Sequence, residues 1–421
     1  MERLLDYGAL NEHGFMKIIK KCDKRAPWLG FVSEILPQIK EASFVCNSQM
    51  PREILVWTRK ELVNFAPVQE LDREASSTSN LVSETARMSL MPELPTLDAL
   101  LLDNIAPGTV TRQWIFIAQD GLSQAIRVPV LIAKGVRKGP VLGITAAVHG
   151  NELNGIPLIH RLFREVDVSE LAGIVVAVPV ANPPGFLRQQ RGYQDGADLN
   201  RLMPGKASGS GSQQFAFQLI NRIIRHFNYL IDLHTASVGR INSLYVRANM
   251  INPITARMAI LQNPQIIVHN TGPDGSLRSA ALDRGIHAIT VEVGDPQRFH
   301  KRFINFALLG VENIMCSLNM VPREFAQADF EPVVCTRSFW MFTRAGGILT
   351  VVPEINSWVK EGEIVARIHN IFGDVVDEYE APSSGIVVGK SVNPVCSSGD
   401  RILHLGVVTQ SYAAVADDGH Q

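Results

Sequence analysis

The chain has 421 residues, of which 46% are hydrophobic, and this length predicts two or three domains rather than one core. The 40 Lys and Arg residues nearly balance the 41 Asp and Glu residues, and the formal net charge of −1 argues against nucleic acid or an anionic membrane as partner and favours a small molecule. The 5 cysteines are scattered and form no Cys-x-x-Cys pair, which argues against a disulfide framework or a cysteine metal site and predicts a reducing cytoplasm.

The first 90 residues are treated as an amino-terminal extension to which no role can be assigned. Its opening residues, Met1–Asp6, carry mixed charge, and no apolar run in the chain approaches the ~20 residues of a membrane span. Prolines interrupt the short amphipathic pieces that follow. A polar stretch at 74–80 is typical of a linker or surface loop. The chain is therefore expected to be soluble and unprocessed.

From about residue 110, apolar runs typical of strands alternate with amphipathic segments typical of helices. The predicted helices are Ile156–Val166 and Gln213–Phe227. The predicted strands are Trp114–Ala118, Val128–Ala133, Val141–Val148, Ile174–Val180, Leu230–Leu233, Leu244–Val246, Ile266–Val268 and Ala288–Val293. This alternation predicts an α/β fold with a mostly parallel mixed sheet flanked by helices, in which ligands bind beyond the carboxyl ends of the strands.

Two of the predicted strands end in side chains that bind metals. His149 and Glu152 directly follow the run Val141–Val148, and His234 follows Leu230–Leu233, 82 residues after Glu152. Two imidazoles and one carboxylate leave an open coordination position, which is typical of a catalytic rather than a structural zinc site.

Glu292 lies inside the last apolar run, Ala288–Val293. An isolated ionised carboxylate is costly in such a strand unless a cation faces it. Partial burial raises a carboxyl pKa, so Glu292 is the candidate general base for an attacking water.

The polar, glycine-containing stretch 188–205 is predicted to be a long loop at the same edge of the sheet. It contains Arg188, Arg191, Asn200 and Arg201. Because a guanidinium can hold a carboxylate through two hydrogen bonds, and an adjacent Asn can add a third, this loop predicts an anionic substrate.

Residues 331–410 are predicted to form a small all-β domain. This region contains a weak internal repeat. The two segments Gly347–Leu349 and Gly362–Val365 are similar to the later segments Gly385–Val387 and Gly399–Ile402. The repeat resembles the two half-motifs of barrel-sandwich domains that carry biotin or lipoate. The corresponding hairpin, His369–Asp374, has no lysine, so a carrier role is rejected. The domain is expected to act as a lid or as an assembly surface, for instance of a homo-oligomer. Residues 411–421 are predicted to be a disordered tail.

Four motifs, in this order, resemble the succinylglutamate desuccinylase/aspartoacylase family, which has a zinc carboxypeptidase-like fold. The motifs are His149-Gly150-Asn151-Glu152, Asp198-Leu199-Asn200-Arg201 with Pro204-Gly205, Asp232-Leu233-His234-Thr235 and Val291-Glu292-Val293-Gly294. The resemblance spans roughly residues 95–410 and implies a deacylase domain at 91–330.

The resemblance also implies a role for each site residue. His149, Glu152 and His234 would bind one zinc ion per chain, and Glu292 would be the general acid and base. Asn200 and Arg201 would hold the substrate carboxylate. Arg191 would polarise the scissile carbonyl, with Arg188 as the alternative, and Arg278 occupies a recurring position without a defined role.

The activity expected from these features is zinc-dependent hydrolysis of the amide bond of an N-acyl amino acid or a similar carboxylated small molecule. Two alternatives stay open: a zinc carboxypeptidase that acts on peptides, and a non-catalytic protein that binds a carboxylated metabolite. Taken one at a time, these residues could instead have structural roles. Glu292 could pair with an arginine, and Asn200 and Arg201 could hold their loop in place.

Overall fold

The computed structural model describes residues 94–408 except 324–325 and 327–329, together with the backbone of four strands nearer the amino terminus. The chain divides into two compact units, Met1–Pro92 and Glu93–Gln421. In the first unit, one sheet contains β1 (Gly8–Leu10), β2 (Phe15–Lys20), β3 (Glu41–Cys46) and β4 (Leu55–Thr58), in that order. The predicted tail at 411–421 lies outside the described residues, and the role of residues 1–90 stays unassigned.

A ten-stranded mixed sheet forms the centre of the second unit. Its strands are β5 (Thr96–Leu97), β6 (Thr109–Gln119), β7 (Ala125–Lys134), β8 (Arg137–Ala146), β9 (Ala172–Val178), β10 (Tyr229–His234), β12 (Leu244–Ala248), β13 (Ile266–His269), β14 (His287–Val293) and β15 (Val333–Cys335). A further strand, β11 (Arg240–Asn242), belongs to another sheet. Every strand predicted from an apolar run is present, and the alternation along the chain confirms the α/β prediction.

The strand order is β15-β13-β12-β14-β10-β8-β9-β7-β6-β5. The four central strands β9, β8, β10 and β14 are mutually parallel, whereas β7 pairs antiparallel with both β6 and β9, and β12 pairs antiparallel with β14. The sheet is therefore mostly parallel and mixed, as predicted. The carboxyl ends of β8, β10 and β14 meet at one edge.

Helices cover both faces of this sheet. They are α1 (Gly155–Glu165), α2 (Pro183–Leu187), α3 (Gly211–Arg222), α4 (Pro253–Leu261), α5 (Leu277–Leu282) and α6 (Lys301–Ser317). Buried residues of α1, α4 and α6 share one apolar cluster, and those of α3 and α5 share another. The predicted helix Gln213–Phe227 ends earlier, at Arg222, because Ile223 leaves the helical conformation, and a short 3-10 turn, Ile224–His226, follows. No helix in the described residues is both long and apolar enough to cross a membrane.

The carboxy-terminal region forms the predicted small all-β domain. Its strands are β16 (Arg337–Phe342), β17 (Gly347–Val351), β18 (Trp358–Val359), β19 (Ile364–His369), β20 (Val375–Glu380), β21 (Gly385–Ser391), β22 (Val395–Cys396) and β23 (Arg401–Val407). One sheet has the order β11-β21-β23-β16 with β18 beside β21, and the other has the order β20-β19-β17-β22. A shared apolar cluster that includes Leu349, Ile368, Val387 and Leu405 forms the core. The hairpin without lysine connects β19 to β20.

The α/β domain and the all-β domain are connected through strand pairing. β11 lies between β10 and β12 in the sequence but pairs with β21, with Arg240 opposite Ser391 and Asn242 opposite Gly389. Conversely, β15 follows the last helix and joins the edge of the ten-stranded sheet beside β13. The all-β domain is thereby attached next to the carboxyl ends of β10 and β14.

Candidate metal centre and active site

The local backbone brings His149 and Glu152 to the end of β8. Leu233 on β10 is opposite Ala146 on β8, so the segments that follow these two strands start side by side. Ala147 has a φ of 50°, a conformation that is uncommon for a residue with a side chain and that turns the chain out of the sheet. Gly150 packs against the backbone of Gly185, where any Cβ would overlap the main chain.

The three predicted metal ligands converge in this turn. The Nδ1 atom of His149 lies 2.9 Å from Oε1 of Glu152, and Nδ1 of His234 lies 2.8 Å from Oε2 of the same carboxylate. The two Nδ1 atoms are 3.1 Å apart. All three side chains are buried, so the cluster is shielded from bulk water.

The other ring nitrogen of each imidazole, Nε2, lies within hydrogen-bond distance of an aspartate. Asp198 Oδ1 lies 3.0 Å from Nε2 of His149, and Asp232 Oδ2 lies 2.8 Å from Nε2 of His234. Thr145 donates a 2.6 Å hydrogen bond to the other oxygen of Asp232. A carboxylate that accepts a hydrogen bond from one ring nitrogen fixes the tautomer and makes the other nitrogen a better ligand.

This arrangement fits a metal ion. If each Nε2–H donates to its aspartate, the lone pairs of the two Nδ1 atoms face each other at 3.1 Å, which is repulsive unless a proton or a metal cation lies between them. The ligand atoms of the three residues lie within 4.8 Å of one another. Two imidazoles with a carboxylate and no thiolate form a donor set that suits zinc.

The buried acidic and basic groups of the cluster shift each other's pKa values. Burial by itself raises the pKa of the Glu152 carboxyl, but the charges and hydrogen bonds of His149 and His234 outweigh it and hold the pKa well below its usual range. Burial by itself lowers the pKa of His234, whereas Asp232 and Glu152 raise it well above the ordinary value. Both directions show that the carboxylates stabilise positive charge at the imidazoles, which is where a bound cation would lie.

Glu292 lies beside this cluster on the neighbouring strand. It is the register partner of His234 across β10 and β14, and of Tyr245 across β12 and β14. Asn242 Nδ2 donates a 3.3 Å hydrogen bond to its Oε2. Burial and the negative charge of Glu152 raise the pKa of the half-buried Glu292, while His234 and Arg247 oppose the shift. A raised pKa of Glu292 is the shift expected from the sequence.

Arg191 reaches the cluster, whereas its alternative Arg188 does not. One guanidinium nitrogen of Arg191 donates to Glu152 Oε1 at 2.9 Å and to Ser237 Oγ at 2.6 Å, and the group also pairs with Asp198. Arg188 instead donates to the backbone oxygen of Gln194 and does not line the cavity. Arg191 is thus held against the metal-ligand carboxylate.

Asn200 and Arg201 lie in a 3-10 turn, Leu199–Arg201, in the predicted loop. Asn200 Oδ1 accepts a 2.7 Å hydrogen bond from the backbone nitrogen of Leu277, and Nδ2 has no hydrogen-bond partner among the described residues. Arg201 donates to the backbone oxygen of Asn200 and forms no salt bridge in the described part of the chain. An amide N–H and a guanidinium are therefore available to a ligand.

All seven predicted site residues line one cavity of about 390 Å³. No role for Asp198 or Asp232 was predicted from the sequence, although Asp232 precedes His234 by two strand positions and so lies on the same side of β10. The all-β domain and its paired strand β11 also contribute lining residues that were not predicted, which include Arg240, Trp340, Arg401 and His404. Nothing in those segments of the sequence indicates proximity to His149.

Parts of the chain are similar to known proteins. Residues 138–318 match the model of the succinylglutamate desuccinylase/aspartoacylase catalytic domain. The chain is 22% identical over 303 residues to the N-alpha-acetyl-L-2,4-diaminobutyric acid deacetylase of Halomonas elongata, which covers 68% of this chain and 87% of that protein. It is 32% identical over 111 residues to the succinylglutamate desuccinylase of Pseudomonas aeruginosa, covering 24% of this chain and 32% of that enzyme.

Solved structures with the same fold include the product-bound ectoine utilization protein EutE (DoeB) from Ruegeria pomeroyi, with a TM-score of 0.65 and 20% identity. The match covers 72% of this chain and 98% of that one. A succinylglutamate desuccinylase/aspartoacylase from Rhodobacter sphaeroides matches with a TM-score of 0.64 and 20% identity, over 72% and 97% of the two chains. These similarities show that the fold is shared.

Proposed function

The chain belongs to the succinylglutamate desuccinylase/aspartoacylase family, and on that premise we propose that it is a zinc-dependent amidohydrolase that removes the acyl group from an N-acyl amino acid or a similar carboxylated small molecule. One observation carries the proposal: a buried His149-Glu152-His234 cluster that can hold a metal lies directly beside Glu292 in a cavity rich in arginine. The named activities of the relatives, a deacetylase and a desuccinylase, support amide hydrolysis.

His149, Glu152 and His234 would hold the ion, and Asp198 and Asp232 would fix the two rings. A bound zinc ion supplies Lewis acidity and lowers the pKa of a coordinated water to about 7. The burial of the three ligands keeps the surrounding dielectric low, so the charges of the site act strongly on a bound substrate.

Glu292 acts as the proton carrier. Its raised pKa allows it to accept a proton from the attacking water and to release that proton to the leaving amine. Asn242 holds one oxygen of its carboxylate, so the group keeps its direction while its charge changes. The bond that forms joins the water oxygen to the acyl carbon, and the bond that breaks joins that carbon to the nitrogen.

Arginine side chains orient and stabilise the substrate. Arg191 donates to the carboxylate of Glu152 at 2.9 Å, and in this position its positive charge would stabilise the oxyanion that forms from the scissile carbonyl. Asn200 and Arg201 offer an unpaired N–H and a guanidinium to the substrate carboxylate. A small molecule is the partner that this cavity predicts, and the cytoplasmic location stays a prediction from the cysteine pattern.

The first test is the zinc content of the purified full-length chain by elemental analysis, followed by a screen for hydrolysis of N-acetyl and N-succinyl amino acids. We expect about one zinc per chain, lost in a variant with His149→Ala and His234→Ala. The exposed His160 on α1 does not line the cavity, so His160→Ala is a matched control that should retain the metal. Release of free carboxy-terminal amino acids from peptides without cleavage of N-acyl amino acids would overturn the deacylase assignment.

A further inference from the structure

The hairpin that connects β19 to β20 presents apolar side chains to solvent. At its tip, residues 370–374, Ile371 is 80% exposed and Phe372 is 88% exposed. Val375 and Val376, at the start of β20, are 51% and 48% exposed. Single exposed apolar residues are ordinary on a protein surface, whereas four of them together on one projecting element indicate a surface that contacts a partner.

The turn at the tip is held in a fixed conformation. The side-chain oxygen of Asn370 accepts hydrogen bonds from the backbone nitrogens of Phe372 and Asp374, at 2.9 Å and 3.0 Å. The Nδ2 atom of Asn370 donates to a carboxylate oxygen of Asp374 at 3.0 Å. Gly373 has a φ of 97°, which residues with a side chain rarely adopt. Because the turn is already ordered, docking of the tip loses little conformational entropy.

A groove of matching character lies on the α/β domain, between α1 and the antiparallel pair β6 and β7. Its volume is about 550 Å³, and we call it the α1 groove. Trp114 is the register partner of Pro129, and Arg112 is the register partner of Leu131, so these four side chains lie on one face of the two strands. Phe163 of α1 forms part of the opposite wall. The groove therefore offers aromatic and aliphatic surface to an apolar insert.

The charges of the two surfaces are opposite in sign. Arg112 and Arg164 line the α1 groove and are exposed, and neither forms a salt bridge within the described part of the chain. Among the described residues that line the groove there is no carboxylate. At the hairpin tip the acidic residue is Asp374, for which the described residues supply no cationic partner. An apolar tip with a negative charge thus complements an apolar groove with two positive charges.

The hairpin and the groove of one chain lie in different parts of the fold. The strands β6 and β7 are near the β5 edge of the ten-stranded sheet, whereas β15, which leads into the all-β domain, forms the opposite edge. All described residues that line the α1 groove come from the α/β domain. The groove therefore does not hold the hairpin of its own chain. A second copy carries the complementary hairpin and is always present at the same concentration.

We propose that the β19–β20 hairpin of one copy inserts Ile371 and Phe372 into the α1 groove of a second copy, so that the chain self-associates. Each copy carries both surfaces, so two copies related by a two-fold axis form the contact twice. The second contact then forms within an existing pair and strengthens the association. The self-association is independent of the proposed activity, because the groove and the cavity at the metal centre share no lining residue among those described.

Sedimentation velocity of the full-length protein over a range of concentrations tests the proposal. We expect a species of at least two chains for the parent protein. Phe372→Asp should raise the Kd of self-association at least ~10-fold, and so should the double variant Arg112→Glu with Arg164→Glu, which reverses the charge of the groove. Ile251 is 72% exposed and belongs to neither surface, so Ile251→Asp is the matched control and should associate like the parent.

Mixing the two defective proteins shows whether the two surfaces meet each other. The Phe372→Asp protein keeps an intact groove, and the double variant keeps an intact hairpin, so a mixture can form one of the two contacts. We therefore expect mixed pairs at concentrations at which each variant alone is a single chain. A contact between two hairpins would instead be lost in Phe372→Asp and retained in the double variant.

Three results would overturn the proposal. The first is a parent protein that stays a single chain at every concentration. The second is association like that of the parent in either defective variant. The third is loss of association in both variants without recovery on mixing. The substituted side chains are exposed, so both variants should fold, and thermal unfolding like that of the parent verifies this before the sedimentation results are compared.

Discussion

His234 and Glu292 are register partners on the adjacent parallel strands β10 and β14. Paired residues on neighbouring strands point to the same side of a sheet, so the predicted metal ligand and the predicted base are held together by main-chain hydrogen bonds. The proposed mechanism needs this proximity, because Glu292 must take a proton from a water that lies next to the metal-binding cluster.

Replacing Glu292 with Gln should lower kcat by about 10²–10⁴-fold while the zinc content stays the same, because the amide keeps the shape of the side chain but cannot carry a proton. The measurement is kcat for an N-acyl amino acid together with elemental analysis. Near-normal turnover in a zinc-loaded Glu292→Gln variant would remove Glu292 from the mechanism.

Replacing Asp232 with Asn should weaken zinc binding by about 10–100-fold, because the amide no longer polarises the imidazole of His234 through the 2.8 Å hydrogen bond. Competition with a chelator measures the affinity. The exposed Asp283 at the end of α5 provides a matched control, and Asp283→Asn should bind zinc as the parent does. Equal affinity in the two variants would contradict the orienting role.

Replacing Arg201 with Ala should mainly raise KM, because this guanidinium would hold the substrate carboxylate equally in the ground state and the transition state. Steady-state kinetics with an anionic substrate separates KM from kcat, and the exposed Arg225→Ala is the control. An unchanged KM would place the carboxylate anchor elsewhere in the cavity.

Replacing Gly150 with Ala should destabilise the protein by about 1–3 kcal/mol or prevent folding, because a Cβ there overlaps the backbone of Gly185. Thermal unfolding followed by circular dichroism measures the loss of stability, and the zinc content of the variant should also be lower than that of the parent. At Gly121 nothing lies within 4 Å of an added Cβ, so Gly121→Ala should melt like the parent. Similar melting temperatures for both variants would show that the turn can relax.

Replacing Arg191 with Lys should lower kcat more than it raises KM, because an ammonium cannot keep the paired contacts to Glu152 and Asp198 while it faces the developing oxyanion. The kinetics are compared with those of Arg188→Lys, which changes an arginine that lies outside the cavity. If Arg188→Lys is the more damaging change, the oxyanion role belongs to that residue.

Much of the fold could be predicted because its causes are local. The runs that became β8, β10 and β14 are mostly apolar and largely buried along their length, as expected for strands covered on both faces. The polar residues at their ends could be assigned to one edge of the sheet because parallel strands bring their carboxyl ends together. The end of α3 at Arg222 was missed because Ile223 and Phe227 continue the apolar spacing of the helix although both pack into the core from outside it.

The sequence by itself determined the chemistry of the site: the two histidines, the two glutamates and the loop that carries Asn200 and Arg201 are recognisable from their types and their positions after apolar runs. The tertiary structure alone decided which of Arg188 and Arg191 reaches the cluster, because that depends on the path of an irregular loop. It alone also brought Trp340 and Arg401 to a cavity built around His149. Contacts between segments so far apart in the chain arise from the pairing of β11 with β21, and no local pattern of residue types specifies a strand's distant partner.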